Sequence, residues 1–227
     1  MIQKKTRYYP VNLDITGRPC LVVGGGPVGA RKAATLVDCG AAVTVASPKM
    51  CKELVEMEKA GSARLLRQEY DSSLMEGAFL VIGATDDEAI NRQISLDANA
   101  RGVLCNIADR PALCNFVLPA IVRRGDLMLA VSTAGQSPAF AKRLRKELTE
   151  KYGPEYADFL EIMGQVRKRL LAEAHAPEEH KDLFEKLIDE GLLEMAKKKD
   201  VEAVDRLLTS ILGPDYCVGN LCPGLFS

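Results

Sequence analysis

An α/β fold with a doubly wound parallel sheet is predicted by three features of this chain. Short apolar runs alternate with amphipathic helical stretches through its first half, and a glycine-rich turn joins the first run to the first helix. After residue 114 the alternation gives way to two β-like runs and then to helix alone. Apolar strands separated by amphipathic helices imply a parallel sheet covered on both faces. Right-handed crossovers wind such a sheet in both directions, and its ligands lie at the carboxyl ends of the strands.

Taken in order, strands are expected at Cys20–Val23, Ala42–Ala46, Ala63–Leu66, Phe79–Ile82 and Val103–Ile107. Helices are expected at Val28–Cys39, Pro48–Ala60 and Asp86–Arg101. From Asn115 onward, the runs Phe116–Val122 and Leu127–Val131 flank Arg123-Arg124-Gly125-Asp126, a hairpin signature. The exposed edge of such a hairpin suits pairing with a second subunit. Ser137-Pro138 marks a helix start, with Ser as the cap and Pro in the first turn. Beyond it the chain reads as helix, broken at Gly153-Pro154, Ala176-Pro177 and Gly191. Tyr156, Phe159, Leu160, Met163, Val166 and Leu170 recur at helical spacing, as do Phe184, Leu187 and Ile188, and both stripes read as core. Asp215–Ser227 reads as a loose tail. The expected division is therefore 1–114 for the sheet domain, 115–152 for a dimerisation segment and 153–227 for a helical domain with its tail.

Composition narrows the function classes. The chain has 227 residues, 47% hydrophobic and 27% charged, with a net charge of −1. That balance gives no general field toward nucleic acid or an anionic membrane. No apolar run reaches the roughly 18 residues of a membrane span, and the opening residues lack the apolar centre of a secretory signal. A cytoplasmic protein is expected. Of seven cysteines, Cys20 and Cys105 fall in apolar strands as small buried hydrophobes. Cys217 and Cys222 resemble a clip, but His175 and His180 are the only histidines, so no metal site is expected.

The run Gly24-Gly25-Gly26-Pro27-Val28-Gly29 carries the sharpest chemistry. Gly24, Gly26 and Gly29 occupy the three positions of the dinucleotide-binding fingerprint, between a strand and a helix. Gly24 permits the tight turn, Gly26 lets the backbone approach a pyrophosphate, and Gly29 lets helix and strand pack closely. The amides at the helix start face the anion. This architecture is called Rossmann-like. The second strand is usually followed by an acid that binds the ribose hydroxyls. Here Ala46-Ser47-Pro48-Lys49 stands instead, leaving Ser47 or backbone groups to replace it and Lys49 to favour a 2′-phosphate. At the end of the fourth strand, Gly83 and Ala84 leave room for a flat ring and Thr85 offers a polar contact. Asp86 and Asp87 read as caps of the next helix.

Asp109 lies just past the fifth strand, in Cys105-Asn106-Ile107-Ala108-Asp109-Arg110. A carboxylate there either takes a proton while a cofactor takes a hydride or simply shapes a turn. Ser132–Ser137 leads into a helix as a second potential anion cradle. The cations beyond it either meet an acidic ligand or form a solvated face. No Ser-His-Asp set, Walker motif or histidine cluster appears.

These blocks, with Pro10-Val11-Asn12-Leu13 ahead of them, resemble the siroheme synthase family in order and spacing over roughly residues 8–150. The resemblance implies NAD-dependent oxidation of precorrin-2, a cyclic tetrapyrrole, to sirohydrochlorin, and in some members insertion of ferrous iron. It implies a homodimer formed through the hairpin and the following helix, and a helical C-terminal part that helps hold the tetrapyrrole. Asp109 falls on the family's essential aspartate. Gly24, Gly26, Pro27, Val28, Gly29, Ser47, Pro48, Lys49 and Thr85 are expected at the cofactor, and Asn106, Thr133, Ser137 and Arg143 at the substrate. With eight substrate carboxylates, Arg123, Arg124, Lys142, Arg143, Arg145 and Lys146 gain a purpose. Some fused relatives carry a phosphorylatable serine where this chain has Thr133. The fused methyltransferase half of those relatives is not expected here. Two rivals remain on the residues alone. A non-catalytic NAD-sensing domain would keep the ribose acid and need no Asp109. A dehydrogenase of small oxo-acids would place a His or Lys near the nicotinamide.

Overall fold

The computed structural model describes residues 7–173 and 180–226, and the chain divides into two compact units, Met1–Leu118 and Pro119–Ser227. The hairpin and the helices that follow it share the second unit. The break at Ala176-Pro177, together with His175, lies outside the described residues.

The first unit holds β1 (Pro19–Val23), α1 (Pro27–Asp38), β2 (Ala42–Ala46), α2 (Lys52–Lys59), β3 (Arg64–Leu66), β4 (Leu80–Gly83), α3 (Glu88–Arg101) and β5 (Leu104–Ile107). Its five strands are all parallel, in the order β3-β2-β1-β4-β5. The strand order therefore reverses between β1 and β4, and a doubly wound sheet opens its ligand crevice at that point. Val22, Val45, Leu54 and Ala33 pack one face of the sheet, while Val81, Ile94, Cys105 and Ile107 pack the other. Both cysteines expected in the core, Cys20 and Cys105, are buried, and burial pushes the Cys20 thiol up to about 11 and that of Cys105 to about 12.

Helix starts deviate from the expected bounds for local reasons. α2 begins at Lys52 rather than Pro48 because the intervening loop folds back on the glycine turn, with the Cys51 amide donating to the Gly25 carbonyl at 2.8 Å. α3 begins after Asp87, whose carboxylate accepts from the amides of Ala89 and Ile90 at 2.8 and 3.1 Å. Asp87 is thus the cap expected there, and Asp86 remains exposed beside it.

The second unit begins with an antiparallel hairpin, β6 (Ala120–Arg124) and β7 (Leu127–Val131), joined by Gly125-Asp126. Gly125 has φ +55°, and a Cβ there would press on Ala157 at 3.0 Å. α4 (Pro138–Lys151), α5 (Glu155–Ala172), α6 (His180–Asp189), α7 (Leu192–Lys198), α8 (Val201–Leu212) and α9 (Val218–Leu221) follow. Ser137 caps α4 as expected, accepting from the Phe140 amide at 3.3 Å. Val166, Leu170 and Leu187 form the expected core with Ile162, Leu207 and Leu208, but Ile188 faces solvent.

Residues 215–226, expected as part of a loose tail, are not loose. Tyr216, Val218, Leu221 and Cys222 are buried in the helical core. The Tyr216 hydroxyl donates to Glu173 Oε2 at 2.8 Å, and the Arg169 guanidinium lies 4.7 Å over its ring. Four apolar residues at short-helix spacing, hidden among Gly and Pro, outweigh the composition that suggested looseness. Cys217 and Cys222 are free thiols, and among the described residues no cluster of metal-ligating side chains occurs.

Candidate functional site

The crest of the sheet is assembled from the glycine turn upward. Gly24 has φ +128°, and a Cβ on it would overlap the Ala84 carbonyl, so the first turn closes tightly against the loop after β4. Gly29 lies against the Gly24 carbonyl with no room for a side chain, which brings α1 down onto β1. Around Gly26 the position of a Cβ meets nothing within 4 Å, so the peptide there borders open space. Gly26 is the N-cap of α1 and no side chain caps the helix, Pro27 stands in its first turn, and no acid lies there. The first-turn amides, including those of Val28 and Gly29, have no partner within the helix. A helix start that is uncapped, free of acids and open at a glycine fits a pyrophosphate.

Gly25, which the fingerprint reading passes over, is as constrained as its neighbours. A Cβ there would overlap the Lys49 carbonyl and crowd the Ser47 side chain. The residues expected to replace the ribose acid are thereby held against the glycine turn. Ser47 is half-buried with its amide bonded to the Leu66 carbonyl, while Pro48 and Lys49 are exposed. The signal for Gly25 was present in the sequence as the middle one of three consecutive glycines.

On the other side of the crevice, Ala84 N donates to Val23 O at 2.7 Å and Thr85 Oγ1 accepts from the Asp87 amide at 3.1 Å. The Ala108 amide donates to the Gly83 carbonyl at 2.8 Å, tying the Asp109 loop to the end of β4. Asp109 is exposed and sits at φ +58°, a left-handed conformation, in a turn closed by Arg110 N to Ile107 O at 3.2 Å. Non-glycine residues adopt that region sparingly, and Asp is among those that tolerate it. The turn is wrapped around Cys114, whose sulfur accepts from Ile107 N at 3.1 Å and lies 3.3 Å from Arg110 O. Lys32 of α1 is half-buried and faces both Asp109 and Cys114. Burial and Arg31 lower its pKa, and the attraction of Asp109 and Cys114 opposes that shift. Neither Lys32 nor Cys114 was legible as a neighbour of Asp109, because each comes from a different element.

Asn106 is 9% exposed and its Nδ2 donates to Phe116 O at 3.1 Å, so it fastens the end of β5 to the following segment. Thr133, Ser137 and Arg143 belong to the second unit. The loop expected there as an anion cradle spends amides on its own side chains. Thr133 Oγ1 accepts from Ser137 N at 3.2 Å, and Ser132 Oγ accepts from Ala134 N at 3.2 Å. Arg143 Nε pairs with Glu147 one turn along α4 at 2.9 Å. Arg124 is not free to meet a ligand. Its guanidinium donates to the carbonyls of Thr149 and Tyr152 at 2.9 and 2.8 Å, closing the C-terminus of α4.

Fold and crest together define a dinucleotide-binding protein of the Rossmann class. Residues 11–120 match a family described as putative NAD(P)-binding, and residues 124–151 match the sirohaem biosynthesis protein central family. Siroheme synthase 2 of Cronobacter sakazakii is 34% identical over 206 residues, covering 90% of this chain and 45% of the relative. Siroheme synthase of Methylococcus capsulatus is 33% identical, covering 88% of this chain and 42% of the relative. A solved structure titled SirC, precorrin-2 dehydrogenase, superposes with a TM-score of 0.73 at 28% identity, covering 88% of this chain and all of that one. The chain is similar to siroheme synthases, and it spans less than half the length of those it matches.

Proposed function

We propose that this chain oxidises precorrin-2 to sirohydrochlorin with NAD, Asp109 serving as the base. The observation that carries this reading is the pairing of two features at one crest. An uncapped helix start open at Gly26 lies across the crevice from a carboxylate held in a left-handed turn.

When bound, NAD supplies a hydride acceptor. The residues of the chain do the rest. The amides of Val28 and Gly29 bind the pyrophosphate, and Gly83 and Ala84 keep the strand end small enough for a flat ring beside it. Asp109 accepts the proton released as a C–H bond of the reduced macrocycle gives up its hydride, so two hydrogens leave the substrate, one as hydride and one as proton. Lys32 of α1 faces Asp109 and places a cation beside the proposed base. Lys142, Arg145 and Lys146 are exposed on α4 and present charge to the substrate's carboxylates.

The resemblance to siroheme synthases and to a precorrin-2 dehydrogenase supports this reading over a non-catalytic NAD-sensing domain, as does the lack of an acid after β2. Ferrous iron is proposed as a second substrate, inserted with Asp109 accepting pyrrole protons. A homodimer is proposed through the hairpin and α4, where Ile121 and Phe140 are 38% and 52% exposed. Among the described residues no helix is long and apolar enough to cross a membrane, and a cytoplasmic location is proposed.

Anaerobic incubation with precorrin-2 and NAD tests the reading, with sirohydrochlorin followed by absorbance and ferrous iron added afterwards. Formation of sirohydrochlorin that requires NAD is expected. No oxidation, with NAD bound to the protein, would favour the sensing domain instead.

A further inference from the structure

Asn91 is a buried polar residue that the reaction leaves unexplained. It lies in the first turn of α3, 5% exposed, and its Nδ2 donates to the Thr85 carbonyl at 2.8 Å. Its Oδ1 has no hydrogen-bond partner among the described residues and lies over Gly83, where a Cβ would be 3.0 Å away. An unsatisfied buried carbonyl oxygen lowers stability, and an apolar side chain of the same shape would avoid that loss while giving up the bond to Thr85. A residue that weakens the core in this way invites a functional explanation.

The bond that Asn91 does make falls where the strand order reverses. Segment 83–85 is fixed to the sheet by Ala84 N on Val23 O and to the cap of α3 by Asp87 N on Thr85 Oγ1. Neither contact holds the Thr85 carbonyl. Asn91 does, reaching it from inside α3, and so sets the plane of the peptide that follows Thr85. Gly24 packs without a Cβ under the neighbouring Ala84 carbonyl, so a rotation of this loop would be felt by the glycine turn as well.

We propose that Asn91 is a positioning residue for the dinucleotide, trading core stability for a crest loop held in its binding conformation. This rests on the NAD reading above. Asn91 touches no ligand itself. It acts through the backbone of residues 83–85, whose preorganisation spares the ligand the cost of ordering them.

The test is the purified chain with Asn91→Leu, an apolar near-isostere, titrated with NAD by calorimetry and melted without ligand. The expected result is about a tenfold weaker Kd for NAD, an unchanged or higher Tm, and kcat at saturating NAD within about threefold of the parent. An unaltered Kd would overturn the proposal, and so would affinity and Tm falling together, which is the signature of a purely structural amide. Should the leucine variant not fold, Asn91→Ala serves under the same criteria. The parent chain is titrated alongside. If it binds no NAD, the cofactor reading falls and this proposal with it, whereas parent binding with no change in the variant removes Asn91 alone.

Discussion

Asp109 combines two properties that a substitution can separate. It carries the carboxylate assigned as base, and it occupies a left-handed turn at φ +58°. Asparagine tolerates that conformation well but cannot accept a proton, so Asp109→Asn should fold and bind NAD while kcat falls by about 10²–10⁴, the usual range for loss of a general base. Steady-state turnover beside an NAD titration checks this, and turnover within a few-fold of the parent would remove Asp109 from the mechanism. Gly26→Asp separates binding from stability in the opposite sense. Its new side chain enters open space, so Tm should hold, while a carboxylate beside the pyrophosphate should weaken NAD binding by at least about 100-fold, or ~2.7 kcal/mol. Calorimetry and a thermal melt on one sample decide it. Gly24, Gly26, Gly29 and Asp109 were legible because each is a special residue type at a fixed offset from a strand. Lys32, Cys114 and Asn91 were not, since their contacts join elements that no spacing along the chain encodes.

Elements were legible where periodicity was strong and less so where a single contact decides. β2 was expected at Ala42–Ala46 and is found there. The start of α2 depends on a hydrogen bond from Cys51 to Gly25, which local pattern cannot reveal. α3 has a comparable long-range tie. Asp97 is 8% exposed and accepts from Tyr70 Oη at 2.7 Å, Ser72 Oγ at 2.6 Å and Gln93 Nε2 at 2.9 Å, fixing the segment after β3 to the helix. Burial pushes the carboxyl upward, but the hydrogen bonds from Ser72, Tyr70 and Gln93, with Arg101, outweigh it and leave the pKa below its ordinary 3.8. A depressed pKa stabilises the fold above the unfolded value and ceases to do so as pH falls through the folded one. Asp97→Asn should therefore cost about 1–2 kcal/mol at pH 7. That difference should persist down to about pH 4, the ordinary carboxylate value, and shrink below it, as urea melts at several pH values would show. Arg124→Ala, which uncaps α4, should lower Tm by a few degrees. If Arg124 instead served the substrate, KM for precorrin-2 would rise with no change in Tm.

The molecule has two units with separate hydrophobic cores, one pair of clusters around the parallel sheet and one among the C-terminal helices. NAD contacts are assigned to the first unit alone, so ligand linkage should act there. At 100 times its Kd, NAD should stabilise that unit by about 2.7 kcal/mol and raise one calorimetric transition while leaving the other in place. A single transition that moves as a whole would show instead that the two units unfold together. The alternation of strand and helix revealed the first unit almost completely. The second was harder, because helical periodicity states which face is buried but not which partner buries it, and the closing segment's core role rests on Tyr216, Val218, Leu221 and Cys222. The contact between Gly25 and the Lys49 carbonyl bears on redesign. The stretch proposed to discriminate one coenzyme from its phosphorylated sibling is wedged against the turn proposed to hold the pyrophosphate. An engineer who grafts an acid at Ser47 to sharpen that choice would also disturb the grip, and selectivity and overall affinity would shift together.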